Sequence, residues 1–153
     1  MNLRIGSNIR LLGHAVVAAG LAVAGTVVAQ TRPEIIFSGL ENPWGVAFLP
    51  EDRFVVTERP GRLRLIDANG KTGAPISGLP AIAAGGQGGL LDVLADSAFE
   101  KNRTLYFCFS EPAAGGSANS TALARAQLSE DGAKLDNLRI IFSQQPKVAS
   151  RNH

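Results

Sequence analysis

Beyond residue 29 the apolar positions fall in short runs, each stopped within a few residues by Gly, Pro, Asn or Asp. Almost no stretch carries the three-to-four-residue spacing of an amphipathic helix, and the runs are rich in Val, Ile, Phe and Leu, so the pattern predicts strands. The runs cover residues 34–37, 45–49, 54–57, 63–66, 90–94, 104–109, 121–128 and 139–142. Pro50-Glu51-Asp52, Pro60-Gly61, Asn69-Gly70 and Asp131-Gly132 punctuate them, and residues 111–120, small and polar, are predicted as a loop. The fold class is all-β.

The order of the runs repeats. Ile36-Phe37-Ser38-Gly39-Leu40 leads into the run at Gly45, Ile76-Ser77-Gly78-Leu79-Pro80 into the run at Gly89, and Ile141-Phe142-Ser143-Gln144-Gln145-Pro146 toward His153. Four short strands per unit of roughly 40–50 residues is the signature of β-propeller blades, and a sandwich of eight unrelated strands would not repeat in this way. In a propeller, the loops that pass from one blade's outer strand to the next blade's inner strand gather on one face. Gln87 lies in one such loop and Asn152-His153 in the next. Two blades do not close a ring, and His153 falls in mid-loop, so the chain is expected to be the N-terminal part of a longer protein.

Residues 1–29 carry only Arg4 and Arg10 as charges, followed by an almost unbroken apolar run, 11–28. Basic start, apolar middle and the small residues of Val27-Val28-Ala29 are the parts of an export signal, with Ala22-Val23-Ala24 an earlier cut. The mature chain, residues 30–153, is therefore expected in the periplasm or outside the cell, without stable membrane insertion, although the run is just long enough to span a bilayer uncleaved. Setting the two leader arginines aside leaves 13 basic against 13 acidic residues. A folded part so balanced has no basic stripe for nucleic acid. Cys108 has no second cysteine to pair with and is expected to be a small buried hydrophobe.

The chemistry concentrates in Ala84-Gly85-Gly86-Gln87-Gly88-Gly89-Leu90-Leu91-Asp92, where four glycines surround one amide. Gln87 can present an acceptor and two donors to something held near the backbone, the glycines leaving no side chain in a ligand's way, although a plain glycine-rich turn is the other reading. His153 is the one histidine outside the leader, and an imidazole, which can take or give a proton near neutral pH, suits a general base. Glu58-Arg59 reads as a solvated strand end, Trp44 as a packing residue between blades, and Asp92 as a structural hydrogen-bonding group. No His/Cys cluster at metal-ligand spacing, phosphate loop or supported Ser-His-Asp arrangement is present, and no metal ligand is assigned.

Three strings carry a family resemblance: Leu40-Glu41-Asn42-Pro43-Trp44-Gly45-Val46-Ala47-Phe48-Leu49-Pro50, Thr57-Glu58-Arg59-Pro60-Gly61-Arg62-Leu63 and Gly85-Gly86-Gln87-Gly88-Gly89-Leu90-Leu91-Asp92, together with the ending at Asn152-His153. In that order they resemble the soluble PQQ-dependent sugar dehydrogenases, the glucose/sorbosone dehydrogenase family, and particularly its bacterial aldose branch. The resemblance implies a six-bladed propeller that binds pyrroloquinoline quinone (PQQ) with calcium and oxidises aldose sugars to lactones, passing electrons to an external acceptor. It implies that His153 is the general base, that Gln87 lies beside cofactor and substrate, and that Asn152, where glucose-specific members have aspartate, meets the sugar. The calcium ligands and most PQQ ligands are expected beyond His153, so the chain alone is expected to be inactive. Two other readings stay open: a silent propeller that binds a carbohydrate or protein, and a calcium-dependent propeller lactonase.

Overall fold

The computed structural model describes residues 31–149. The leader with its cut sites, Asn152 and His153 lie outside the described residues. Seven strands and one short helix form two antiparallel meanders. The first sheet is β1 (Pro43–Leu49), β2 (Arg53–Glu58) and β3 (Arg62–Ile66), in that spatial order. The second is β4 (Leu90–Ala95), β5 (Thr104–Pro112), β6 (Asn119–Leu128) and β7 (Leu135–Ser143), with α1 (Phe99–Asn102) between β4 and β5. Two up-and-down sheets following one another in this way are propeller blades, as the repeat predicts.

Pleat alternation explains the core. On β5, Leu105, Phe107 and Phe109 point inward, and across the ladder they stand opposite Ala126, Ala124 and Ala122 of β6. Large residues on one strand against alanines on the next fill the space without overlap. The first sheet adds Ala47, Leu49, Val55 and Leu63 to the same cluster. The two sheets are also bonded: the buried Thr57 hydroxyl accepts the Gly45 N–H (2.8 Å) and donates to the Leu91 carbonyl (2.6 Å). Gly45 permits the approach, since a Cβ there would stand 3.0 Å from Asp92 Cα.

Four strand-level expectations change. Residues 34–37 form no strand, and Ile35 is 87% exposed, because no neighbouring strand among the described residues offers them a ladder. The first sheet has three strands rather than four: the segment after β3 meets it through the isolated Ile66–Thr72 bridge and the buried Ile76, whose N–H donates to Leu63 O (2.8 Å), and no continuous ladder forms. The loop expected over 111–120 is shorter, since Glu111 pairs with Ser120 and Pro112 with Asn119. Cys108 lies on the face of β5 opposite the core, half-buried, with Sγ 3.9 Å from Asp92 O.

The faces turned away from the shared core remain apolar. Trp44, Val46 and Phe48 line one side of β1, Leu94 projects from β4, and Ile140, Ile141 and Phe142 lie along β7, all exposed. Trp44, expected between blades, does not pack between the two sheets described. It stands on this outer face with the Arg59 guanidinium 5.9 Å from its ring centroid.

Candidate functional site

One end of both sheets collects the starts of β1, β3, β4 and β6 and the ends of β2, β5 and β7, a consequence of meander order. Three structures occupy it: the β2–β3 turn, the glycine loop before β4, and residues 144–149 after β7.

The β2–β3 turn rests on Glu58, which is 1% exposed and not the solvated residue its position suggests. Its carboxylate accepts hydrogen bonds from Arg62 Nε (2.7 Å), Arg64 Nε (3.1 Å) and the Glu41 N–H, while Arg62 also reaches Glu41 Oε2 (2.7 Å). Burial pushes the Glu58 carboxyl up, but the bonds from Arg62, Glu41 and Arg64 and the charge of Arg62 outweigh it and hold the pKa down at about 2. The hairpin register could have disclosed this set. A loop of three residues, 59–61, places Arg62 directly opposite Glu58, with Arg64 on the same face two residues on.

The glycine loop is built on that turn. Leu90 N donates to Arg59 O (3.1 Å), and a Cβ on Gly89 would stand 2.1 Å from the same oxygen. Ser110 holds the other side: its hydroxyl accepts the Gly89 N–H (3.1 Å), its N–H donates to Gly89 O (2.9 Å), and its carbonyl accepts from Ala83 N (2.8 Å). A Cβ on Gly88 would come 2.8 Å from that hydroxyl. Gly88 and Gly89 therefore make room for the protein's own backbone and Ser110, which corrects the expectation that all four glycines clear space for a ligand. Sequence reasoning also passed over Ser110, the polar residue that ends the apolar run of β5 beside Leu90's partner Phe109.

Gly85 and Gly88 face each other through paired backbone bonds (2.9 and 3.4 Å), so Gly86 and Gln87 form a two-residue tip. Gly86 has φ +57°, the left-handed conformation such a tip requires. A Cβ on Gly85 would meet nothing within 4 Å. Gln87 is exposed, and its amide takes no partner among the described residues. Asp92, expected to hydrogen-bond structurally, is exposed on β4 and its carboxylate likewise has no partner there.

Residues 144–149 run back to the start of β6. Gln144 N donates to Thr121 O and Asn119 N to Val148 O, each at 3.0 Å. Lys147 Nζ lies 2.5 Å from Glu111 Oε2, which Ser143 Oγ also reaches. These donors, Lys147 first, keep the Glu111 carboxyl below its ordinary value against the opposing effect of burial. Of the three residues expected to act on cofactor and sugar, Gln87 is thus found at this end, and Asn152 and His153 follow the segment that returns to it.

The sequence model of the family "Glucose / Sorbosone dehydrogenase" matches residues 40–153. An aldose sugar dehydrogenase of Escherichia coli K12, YliI, is 38% identical over 126 residues, spanning 82% of this chain and 34% of the relative. A solved glucose dehydrogenase superposes with a TM-score of 0.68 at 48% identity, over 72% of this chain and 34% of that one. The PQQ-bound aldose sugar dehydrogenase of Streptomyces coelicolor, at 22% identity and a TM-score of 0.63 over 74% and 33% of the two chains, shares the fold. The chain spans about a third of the length of these relatives. With the family's model matched from Leu40 onward and the fold shared across these proteins, the chain belongs to the glucose/sorbosone dehydrogenase family.

Proposed function

We propose that this chain supplies two blades of a PQQ-dependent aldose dehydrogenase that converts sugars to lactones. The observation that carries the reading is the Gln87 tip: an amide without a protein partner, held on a rigid two-sided mount at the sheet end toward which residues 144–149 lead. The tip fits one edge of a planar cofactor, because Gly85 leaves the adjoining space open and Gln87 has its donors and acceptor free. When bound, PQQ supplies a quinone that accepts two electrons as hydride from the sugar's anomeric carbon. The protein's own tasks are to orient and to move a proton. Gln87 would orient cofactor and sugar through its amide, Asn152 would hydrogen-bond a sugar hydroxyl, and His153 would take the proton of the anomeric hydroxyl as the C–H bond breaks. The sugar, having lost one hydride and one proton, leaves as the lactone.

Calcium belongs to the same proposal. Among the described residues no group of three or more His, Cys, Asp or Glu is placed to hold a metal, so its ligands would come from elsewhere in the protein. Export through the 1–29 leader would put the enzyme in the periplasm or outside the cell, with an external acceptor reoxidising the cofactor.

Dye-linked turnover by the complete protein, loaded with PQQ and calcium and supplied with an aldose, tests the reading. His153→Gln should lower kcat about 10²–10⁴-fold, the usual worth of a general base, and leave PQQ affinity within a few-fold. Unchanged turnover would remove His153 from the mechanism. Absence of any sugar oxidation by the wild type, with retained sugar binding, would favour a silent carbohydrate-binding propeller.

A further inference from the structure

Residues 144–149 are fastened more heavily than a connecting loop needs. Backbone bonds tie them to β6 twice: Gln144 N to Thr121 O, and Val148 with Asn119 in both directions, all at 3.0 Å. Ser120 Oγ adds a bond to Gln144 O (2.7 Å). Between these ties Lys147 turns inward instead of toward water. Its Nζ meets Glu111 Oε2 at 2.5 Å, Ser120 Oγ at 3.2 Å and Ser143 Oγ at 3.4 Å, and the Lys147 side chain is only 15% exposed. The cluster therefore joins the end of β5, the start of β6 and the end of β7 to the segment that leaves them.

Stability does not account for this arrangement. An ion pair so near the surface contributes roughly 0–1 kcal/mol, and ordering a lysine side chain costs up to about 2 kcal/mol. Geometry does account for it. Asn152 and His153 come five and six residues after Lys147. Six residues reach at most about 20 Å from their origin, so any shift of the origin is carried to their end, and a displacement of about 1 Å at a reacting group can cost a hundredfold in rate. An anchor at Lys147 removes the motion of the origin.

We propose that Lys147, gripped by Glu111, Ser120 and Ser143, is a positioning residue for the sugar oxidation, fixing the take-off of the segment that carries Asn152 and His153. The proposal rests on the role given to His153 above. Hydrogen exchange of the complete, cofactor-free protein and steady-state turnover of the PQQ-loaded form test it together. Lys147→Met should raise exchange of the 144–149 amides about tenfold while β4 and β5 stay protected. It should lower kcat about 10–100-fold with KM and PQQ affinity within about twofold, and Lys147→Arg should recover most of the loss. Glu111→Gln should act in the same direction and serves if Lys147→Met does not fold. Unaltered exchange over 144–149, or a kcat within about twofold of wild type in a folded variant, overturns the proposal, as does a parallel fall in kcat and PQQ affinity. If His153→Gln keeps full turnover while Lys147→Met loses both protection and kcat, the role of His153 falls and the anchoring stands.

Discussion

The two turns that meet at this end of the sheets treat their polar groups in opposite ways. At the β2–β3 turn the Glu58 carboxylate is buried and saturated by two arginines and a backbone N–H, and the charge serves only the protein. At the glycine loop, a few ångströms away through the Arg59–Leu90 bond, the mount is saturated by Ser110 and Arg59 but the Gln87 amide at the tip is left without a partner. A polar residue next to glycines and a polar residue next to a Pro-Gly turn look alike in sequence. What separates them is whether neighbouring strands complete their hydrogen bonds, and a group left incomplete by a rigid surround is the one available to a ligand.

The contrast breaks most readily at the mount. Gly89→Ala would drive a Cβ into Arg59 O, backbone against backbone, and should destabilise the protein by about 4 kcal/mol, read from the urea midpoint. A loss below about 1 kcal/mol would mean that the loop is free to shift and Gln87 is not held.

The saturated carboxylate comes next. Glu58→Gln removes a buried charge from between Arg62 and Arg64 and should cost about 3 kcal/mol at neutral pH. Its acid dependence sharpens the point. The folded pKa of about 2 lies below the ordinary 4.5, so on acidification the unfolded chain takes up the proton first. The contribution of Glu58, about 3 kcal/mol, is complete above pH 4.5 and is lost as pH falls from there through about 2. Urea midpoints followed down that range should fall less steeply in Glu58→Gln than in the wild type.

The smallest effect on stability belongs to the tip. Gln87→Ala should leave the urea midpoint within about 0.5 kcal/mol of wild type, since the side chain has no protein partner among the described residues. In the same variant PQQ affinity should fall about tenfold, measured by cofactor titration. A clear stability loss with unchanged affinity would reverse the assignment of the two turns.

Most of the strand pattern was legible, because seven of the eight runs alternate or cluster apolar residues in the way a half-buried strand must. The misreadings share a cause. Residues 34–37 have a strand's composition but no ladder partner among the described residues, and a strand is a property of a pair. Strands β5 and β6 continue past Phe109 because the ladder runs on through Glu111–Ser120 and Pro112–Asn119, a pairing that the small and polar residues of 111–120 do not announce. Gln87 was legible through its four glycines, yet the reason for two of them was not. Gly88 and Gly89 answer to Ser110 and Arg59, on β5 and beside β2, rather than to any ligand. Glu58 was read as solvated because a charge at a strand end usually is, and only the hairpin register reveals the two arginines waiting opposite it.

The uncovered outer faces of β1 and β7 bear on how such a protein is made. In the ring proposed above, a chain synthesised in order would present Trp44, Val46 and Phe48, then Ile140 to Phe142, before a further sheet could lie against them. Until covered, these apolar faces would be open to other nascent chains. Fidelity of assembly then depends on the rate at which the next sheet emerges relative to the rate of encounter. Slow translation or crowded expression would favour tangled aggregates over closed rings, even though every residue described here is compatible with the native fold.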